Sequence, residues 1–528
     1  MSKRRLIALV FYGFLAVVAA QATFLVWRNQ QFGTLYAQSP PPAQLEGSIE
    51  VPDFPPGLEW LNTGGRSLTL ADDLRGKIVI LDFWTYGCIN CIHVIPTLKQ
   101  LEERYPDELV IIGVHTAKFA NEGETDNIRR FIQRYELAHP VINDRDYTVW
   151  RSYRVNAWPT LVLINPQGRA VGYIAGEPSF ETLDNYVSAM VALFDERGEL
   201  DRSPLALELE FDGLDTGALR FPSKVTVDTA GGRIFIADTG HHRIVQTDLE
   251  GRVQRVYGSG EVGLLDGNAG AARLNQPHGM ALWDSDTLYV ADTTSNAIRR
   301  IDLRDGRVST VAGDGSQRYI ASDSADPAAG LNSPWDLLRI DDWLYIAMAG
   351  QHQIWRYRPA DQQLEAYAGS RREALTDGSR LSAGLNQPSG LATDGEYLYF
   401  ADAEASAIRR IQIEGDERVE TLVGTGLFDF GDVDGIGRNV LLQHPLAVVV
   451  HDGQVILADT YNSKIKVLDP DTREVTTLIP RDLMEPGGLS IAGDLLYIAD
   501  TNEHQIEVYD LRTRARRTLT LSDPDDLL

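Results

Sequence analysis

The sequence predicts a multidomain chain: an N-terminal transmembrane helix, then an α/β domain, then an all-β propeller of six blades. Three observations carry this expectation. At 528 residues the chain exceeds what one ordinary core organises. Strand-like runs alternate with helical ones through residues 51–198, the pattern of a central sheet covered on both faces. From Phe221 onward a single unit returns six times.

Composition narrows the function classes. Hydrophobic residues make up 43% and charged residues 23%, which is ordinary globular usage. A formal net charge of −26 argues against a sequence-independent grip on nucleic acid, because polyphosphate would be repelled. The ten histidines form no HExxH and no Cys/His grouping with zinc spacing, so neither a metal nor any other cofactor is expected. Cys88 and Cys91 are the only cysteines, and their proximity reads as a selected CxxC pair.

Lys3, Arg4 and Arg5 precede an uncharged run from Leu6 to Trp27, long enough to cross a bilayer as a helix. The basic cluster marks the cytoplasmic side, so residues 1–5 form a cytoplasmic tail and both globular domains are extracytoplasmic (periplasmic). Ala20-Gln21-Ala22 keeps open a cleaved signal peptide instead of a retained anchor. Residues 28–50, with Pro40-Pro41-Pro42, read as a spacer.

In residues 51–198 the buried-strand run Lys77–Trp84 leads into Thr85-Tyr86-Gly87-Cys88-Ile89-Asn90-Cys91 and an amphipathic helix. Ile92, Ile95, Leu98 and Leu101 are expected to pack beneath the sheet, with Lys99, Glu102, Glu103 and Arg104 facing water. Strands follow at Leu109–Val114, near Val141, at Thr160–Ile164 and at Val171–Ile174, and helices at about Glu124–Tyr135 and Tyr147–Tyr153. A cysteine at a helix start meets unsatisfied N–H groups that favour thiolate, and a second cysteine three positions on can resolve a mixed disulfide.

This order of strand, CxxC, helix and a later Trp158-Pro159-Thr160 resembles the thioredoxin fold in its membrane-tethered branch. The resemblance implies Cys88 as nucleophile and Cys91 as resolving thiol of a redox-active disulfide. It implies Asp82 as the buried carboxylate behind them, placed to take a proton from Cys91. Pro96 would be the helix kink and Pro159 the cis-proline, with Trp84 and Trp158 as supporting positions. The Ile89-Asn90 dipeptide departs from the usual thioredoxin pair, so oxidant and reductant directions stay open. Thr85 admits a peroxiredoxin-like peroxidase as a further reading, and a structural disulfide as another.

After a linker at 199–214, residues 215–522 repeat the unit Ile236-Ala237-Asp238-Thr239 as Val290–Thr293, Ile346–Ala349, Phe400–Ala403, Leu457–Thr460 and Ile498–Thr501. Asp238, Asp292, Asp402, Asp459 and Asp500 carry the repeat signature, and Met348 replaces it in the third copy. Four strand-like runs per unit make each a propeller blade, before a tail at 523–528. Asn275-Gln276-Pro277, Asn332-Ser333-Pro334, Asn386-Gln387-Pro388 and Gln443-His444-Pro445 lead into the first strands, as turn formers or as a binding face. His242, His352 and His504 share one repeat position.

The units resemble NHL repeats, and the domain order is similar to the family of NHL-repeat-containing protein 2, on Ala237–Ile244, Ser333–Asp336, Ala347–Gly350, Phe430–Gly435 and Cys88-Ile89-Asn90-Cys91. The expected function is an extracytoplasmic thiol-disulfide oxidoreductase acting on protein thiols or disulfides, with a protein partner on the propeller. A non-enzymatic scaffold is the rival class, and a propeller-centred hydrolase or lyase is more distant.

Overall fold

The computed structural model describes residues 40–214, 217–415, 417–523 and 527–528. The transmembrane segment expected at Leu6–Trp27 lies outside them. Among the described residues no helix is long and apolar enough to cross a membrane. The chain divides into two compact units, residues up to 118 with 122–213, and residues 119–121 with 214–528.

The first unit is a six-stranded sheet in the order β1-β4-β3-β2-β5-β6. Its strands are β1 (Glu59–Leu61), β2 (Ile78–Trp84), β3 (Leu109–His115), β4 (Val141–Asn143), β5 (Thr160–Ile164) and β6 (Ala170–Ala175). β2, β3 and β4 run parallel, and β1, β5 and β6 are antiparallel to their neighbours. Every residue of β2 and β3 is buried, as apolar runs without alternation require when both faces are covered.

Val79, Leu81 and Phe83 enter the core on one face. Ile78 and Ile80 enter the other, beneath helices α1 (Ile89–Arg104) and α4 (Phe180–Glu196). Helices α2 (Thr125–Tyr135) and α3 (Thr148–Ser152) complete the unit with a one-turn helix at Pro42–Leu45, whose Leu45 is buried in the same core as Ile78 and Ile80. The described end of the expected spacer at 28–50 is therefore packed on the sheet, because its apolar residue finds a covered face there. In α1 the buried residues are Ile89, Cys91, Val94, Ile95, Leu98 and Leu101. Ile92 is only half-buried, which corrects the expected stripe. A spacing of three drifts around a helix of 3.6 residues per turn, whereas Cys91, Val94, Ile95 and Leu98 stay on one side.

The second unit is a closed ring of six sheets. The innermost strands are Lys224–Asp228, Pro277–Asp284, Pro334–Ile340, Pro388–Thr393, Ala447–His451 and Pro486–Ala492, each packed against the next and the last against the first. The third, fourth and fifth sheets each gain a short outer fifth strand.

One hydrogen bond per blade staples it to the next. The backbone N–H groups of Gln276, Ser333, Gln387, His444, Glu485 and Phe221 donate to side chains of the preceding blade. The acceptors, in the same order, are His242 Nδ1, Asn296 Oδ1, His352 Nδ1, Ser406 Oγ, Ser463 Oγ and His504 Nδ1. Both partners in each staple have positive φ, so the leading loops and the three shared histidines serve as turn and clasp.

The repeat aspartates are structural. One oxygen of each accepts the N–H of Arg220, Asn275, Asn386, Gln443 or Met484 at 2.6–2.7 Å, pinning the loop that leads into its blade. Asp292 and Asp402 also hold Arg299 and Arg409 at 2.9 and 2.8 Å, with all four side chains fully buried. Asp459 holds Lys466 at 3.2 Å, and Asp238 holds Arg243 at 2.8 Å. Where Met348 replaces aspartate, the matching cation is replaced too, by Trp355.

The axis is closed. Two residues after each leading proline stand Lys224, Gly279, Asp336, Gly390, Ala447 and Gly488. The four small residues let the strands converge, and the Lys224–Asp336 pair at 3.5 Å fills the centre. Lys224 Nζ also donates to the carbonyls of Ser389 and Leu446.

Candidate functional site

The site forms where β2 ends and α1 begins. Cys88 is the N-cap residue of α1, its carbonyl accepting the N–H groups of Cys91 at 3.0 Å and Ile92 at 3.2 Å. It is half-buried, whereas Cys91, one turn on, is 3% exposed. Both are free thiols. The Cys91 thiol is pushed well above its ordinary range by burial, then by the hydrogen-bonded Cys88 beside it and by the charge of Asp82. A backbone contact with Thr85 opposes this.

Asp82 lies on the α1 side of β2, two positions beyond Ile80. It is 5% exposed, and its Oδ1 has no hydrogen-bond partner among the described residues. Burial pushes its carboxyl up to about 7, against the opposing charge of His139. A buried carboxyl that holds its proton near neutrality and sits beside a thiol can exchange that proton with the sulfur.

Around this core, Trp84 is buried with its ring edge-on to His115 at 4.7 Å and tilted against Phe131 at 5.0 Å. Burial lowers the His115 imidazole to about 3 and keeps it neutral. Thr160 pairs with Phe83, which places the cis Trp158–Pro159 bond at the end of the sheet from which the CxxC loop leaves. The Trp158 ring packs on Trp150 at 4.8 Å. Pro96 stands exposed on α1, which continues through it. The repeat aspartates, Asp238 to Asp500, belong to the propeller unit.

Three residues of the site escaped sequence reading. Glu122 is fully buried and holds the CxxC loop, accepting from Thr85 Oγ1 at 2.6 Å, Gly87 N–H at 2.9 Å and Lys118 N–H at 2.7 Å. His139 and Glu102 pair at 3.0 Å behind Asp82. Helical phase turns Glu102 towards water, whereas its carboxylate reaches inward to the His139 ring. Lys99 is likewise drawn in, donating to the Tyr135 carbonyl at 2.7 Å.

Fold and site define a thioredoxin-like domain carrying a CxxC dithiol, joined to a six-bladed propeller of NHL repeats. Residues 76–170 match the thioredoxin-like family and residues 219–246 the NHL repeat. The chain belongs to the family of NHL repeat-containing protein 2. It is 41% identical to the Bos taurus protein of that name over 542 residues, covering 93% of this chain and 74% of the relative. The Homo sapiens protein is also 41% identical, over 522 residues, covering 89% and 71%. The thioredoxin-like domain is similar to the thiol-disulfide oxidoreductase ResA of Bacillus cereus, 33% identical over 123 residues, 23% of this chain and 68% of the relative.

Proposed function

We propose that the chain is a thiol-disulfide oxidoreductase, anchored by Leu6–Trp27 at the outer face of a membrane, whose propeller serves as a platform for protein partners. The observation that carries the chemistry is the asymmetry of the two sulfurs: Cys88 is accessible at a helix start, and Cys91 is buried against Asp82. The similarity to ResA supports the reaction class.

In the reducing direction, the Cys88 thiolate attacks a substrate disulfide, forming a mixed disulfide and expelling one substrate thiolate. Cys91 then gives its proton to the Asp82 carboxylate and attacks Cys88 Sγ. The Cys88–Cys91 bond forms, the mixed disulfide breaks, and the second substrate thiolate leaves. Two electrons pass from the dithiol to the substrate, and the reverse sequence oxidises a substrate dithiol. The Thr85 hydroxyl proton is committed to Glu122, which favours this reading over a peroxidase that would use Thr85 at the peroxide.

Cys91→Ala tests the proposal, because nothing remains to resolve the intermediate. It is expected to trap mixed disulfides with protein partners on non-reducing gels, and Cys88→Ala few or none. Equal trapping by both variants would overturn the order of attack. Removing the propeller from Phe221 onward in the Cys91→Ala background should thin the trapped set, and an unchanged set would refute the platform role.

A further inference from the structure

We infer that His139, held by Glu102, is a positioning residue for Asp82: it biases the charge of that carboxyl and so the readiness of Cys91 to resolve a mixed disulfide. The inference rests on the oxidoreductase reading above.

The first observation is the space His139 occupies. Gly113 interrupts the apolar run of β3 directly opposite Asp82 in the parallel register. Its φ is not positive, so no backbone conformation demands glycine there, and a strand glycine is otherwise destabilising. A Cβ at Gly113 would meet Trp84 Nε1 at 2.9 Å, Val141 Cγ2 at 3.1 Å and His139 Nε2 at 3.5 Å. Side chains paired across parallel strands lie on the same face, about 5 Å apart. The Trp84 indole edge and Val141 close off the position a β3 side chain would take, and the imidazole lies in van der Waals contact next to it, on the face of the sheet that carries Asp82.

The second observation is how the ring is fixed. His139 is 4% exposed, and its Nδ1 lies 3.0 Å from Glu102 Oε1. Its carbonyl accepts from Asn62 Nδ2 at 2.8 Å. With Nδ1 directed to Glu102, Nε2 is the nitrogen left on the side of Gly113 and Asp82. Positive character on His139 makes the ionised form of Asp82 easier to hold. The other titratable groups that act here are Cys91 on α1, which feels the charge of Asp82, Lys99 on α1, which feels that of Glu102, and His115, on the same face of β3 as Gly113. Glu102, on the turn of α1 after Leu98, thus connects the buried acid towards the surface, with its own side chain 22% exposed.

The test uses the reduced full-length protein and 5,5′-dithiobis(2-nitrobenzoate). Attack by Cys88 releases one thionitrobenzoate, and closure by Cys91 on the resulting mixed disulfide releases the second, so the two phases read the two sulfurs separately. Without His139, Asp82 keeps its own proton to higher pH and accepts that of Cys91 only there. His139→Gln is expected to move the pH midpoint of the second phase up by about one pH unit, about a tenfold slowing on the acid side. The first phase should stay within about twofold. Glu102→Gln, on a half-exposed helix position, should shift the same midpoint in the same direction by less. An unchanged midpoint in folded His139→Gln overturns the inference, and if that variant does not fold, an unchanged midpoint in Glu102→Gln does so. A wild-type protein that releases no second thionitrobenzoate brings down the oxidoreductase reading and this inference together. A wild-type protein with both phases and indifferent variants brings down only this one.

Discussion

Replacing Asp82 with asparagine isolates the ionisation on which the proposed chemistry depends. The carboxyl rises from an ordinary 3.8 to about 7, with burial as the main cause. Below pH 3.8 both folded and unfolded chains hold the proton, and there is no penalty. As pH rises through the window from 3.8 to about 7 the unfolded chain ionises while the folded one resists, so stability is lost, and above that window the loss is constant. At about 1.4 kcal/mol per pH unit, the wild type should lose about 3 kcal/mol relative to Asp82→Asn between pH 5 and pH 8. The asparagine amide brings its own cost of about 1–3 kcal/mol if left unpaired, but that offset is pH-independent and cancels in the comparison. Hydrogen exchange of the Ile78–Trp84 amides, followed in rising urea on the reduced protein at pH 5, 6, 7 and 8, reads the difference locally. A gap between variant and wild type that stays flat across that range would refute the reasoning: Asp82 would then be an ordinary carboxylate, ionised throughout and too weak a base to hold the Cys91 proton near neutrality.

Other consequences are open to measurement. Alkaline phosphatase fused after Leu528 should be active and membrane-retained through carbonate washing, and an inactive fusion would reverse the proposed orientation. Arg409→Met strands the fully buried Asp402 and should cost about 3–5 kcal/mol in thermal unfolding of the propeller. The double change Asp402→Met with Arg409→Trp, copying Met348 and Trp355, should recover most of it. Glu122→Gln replaces an acceptor of three hydrogen bonds by a group with one accepting oxygen, so the Thr85–Gly87 loop should lose about 1–3 kcal/mol of protection, read by amide exchange of that segment.

Much of this architecture was legible because it is written in local patterns. The run Lys77–Trp84 has the β-branched, unalternating character of a doubly covered strand, and it is one. The six copies of the Asp238 unit fixed the phase of the blades. What escaped was long-range. Glu122, Glu102 and His139 lie on a short turn, on α1 and in the loop before β4, and nothing in their spacing points to Cys88 or Asp82; only the pairing of β2 with β3 and the packing of α1 bring them together. The blade staples were hidden for a chemical reason. His242, Asn296, His352, Ser406, Ser463 and His504 differ in type but all present a side-chain acceptor from a left-handed residue, so the repeat is one of function at the atom and not of identity. Gly113 was the one local signal available at the site: a glycine amid Ile111, Ile112 and Val114 asks what fills its place.

The molecule also supplies its own control for reading function from a buried acid. Asp500 resembles Asp82: its carboxyl is pushed up to about 7 by burial, its Oδ2 has no hydrogen-bond partner among the described residues, and Glu507 stands where sister blades carry a cation. Asp292 and Asp459 are raised less, to about 6, because Arg299 and Lys466 offset part of the burial. A raised carboxyl therefore does not by itself mark a reactive site. Asp500 accepts the Met484 N–H at 2.7 Å and has a loop to hold, with no thiol among the groups that set its charge. The charge of Asp82 acts on the Cys91 thiol, which is hydrogen-bonded to the Cys88 sulfur at the helix start. The difference predicts that Asp500→Asn, like Asp82→Asn, changes the pH dependence of stability, but leaves both phases of the dithiobis(nitrobenzoate) reaction unmoved. A slowed second phase in Asp500→Asn would mean that propeller stability governs the thiol chemistry, and the local account of Asp82 would fail.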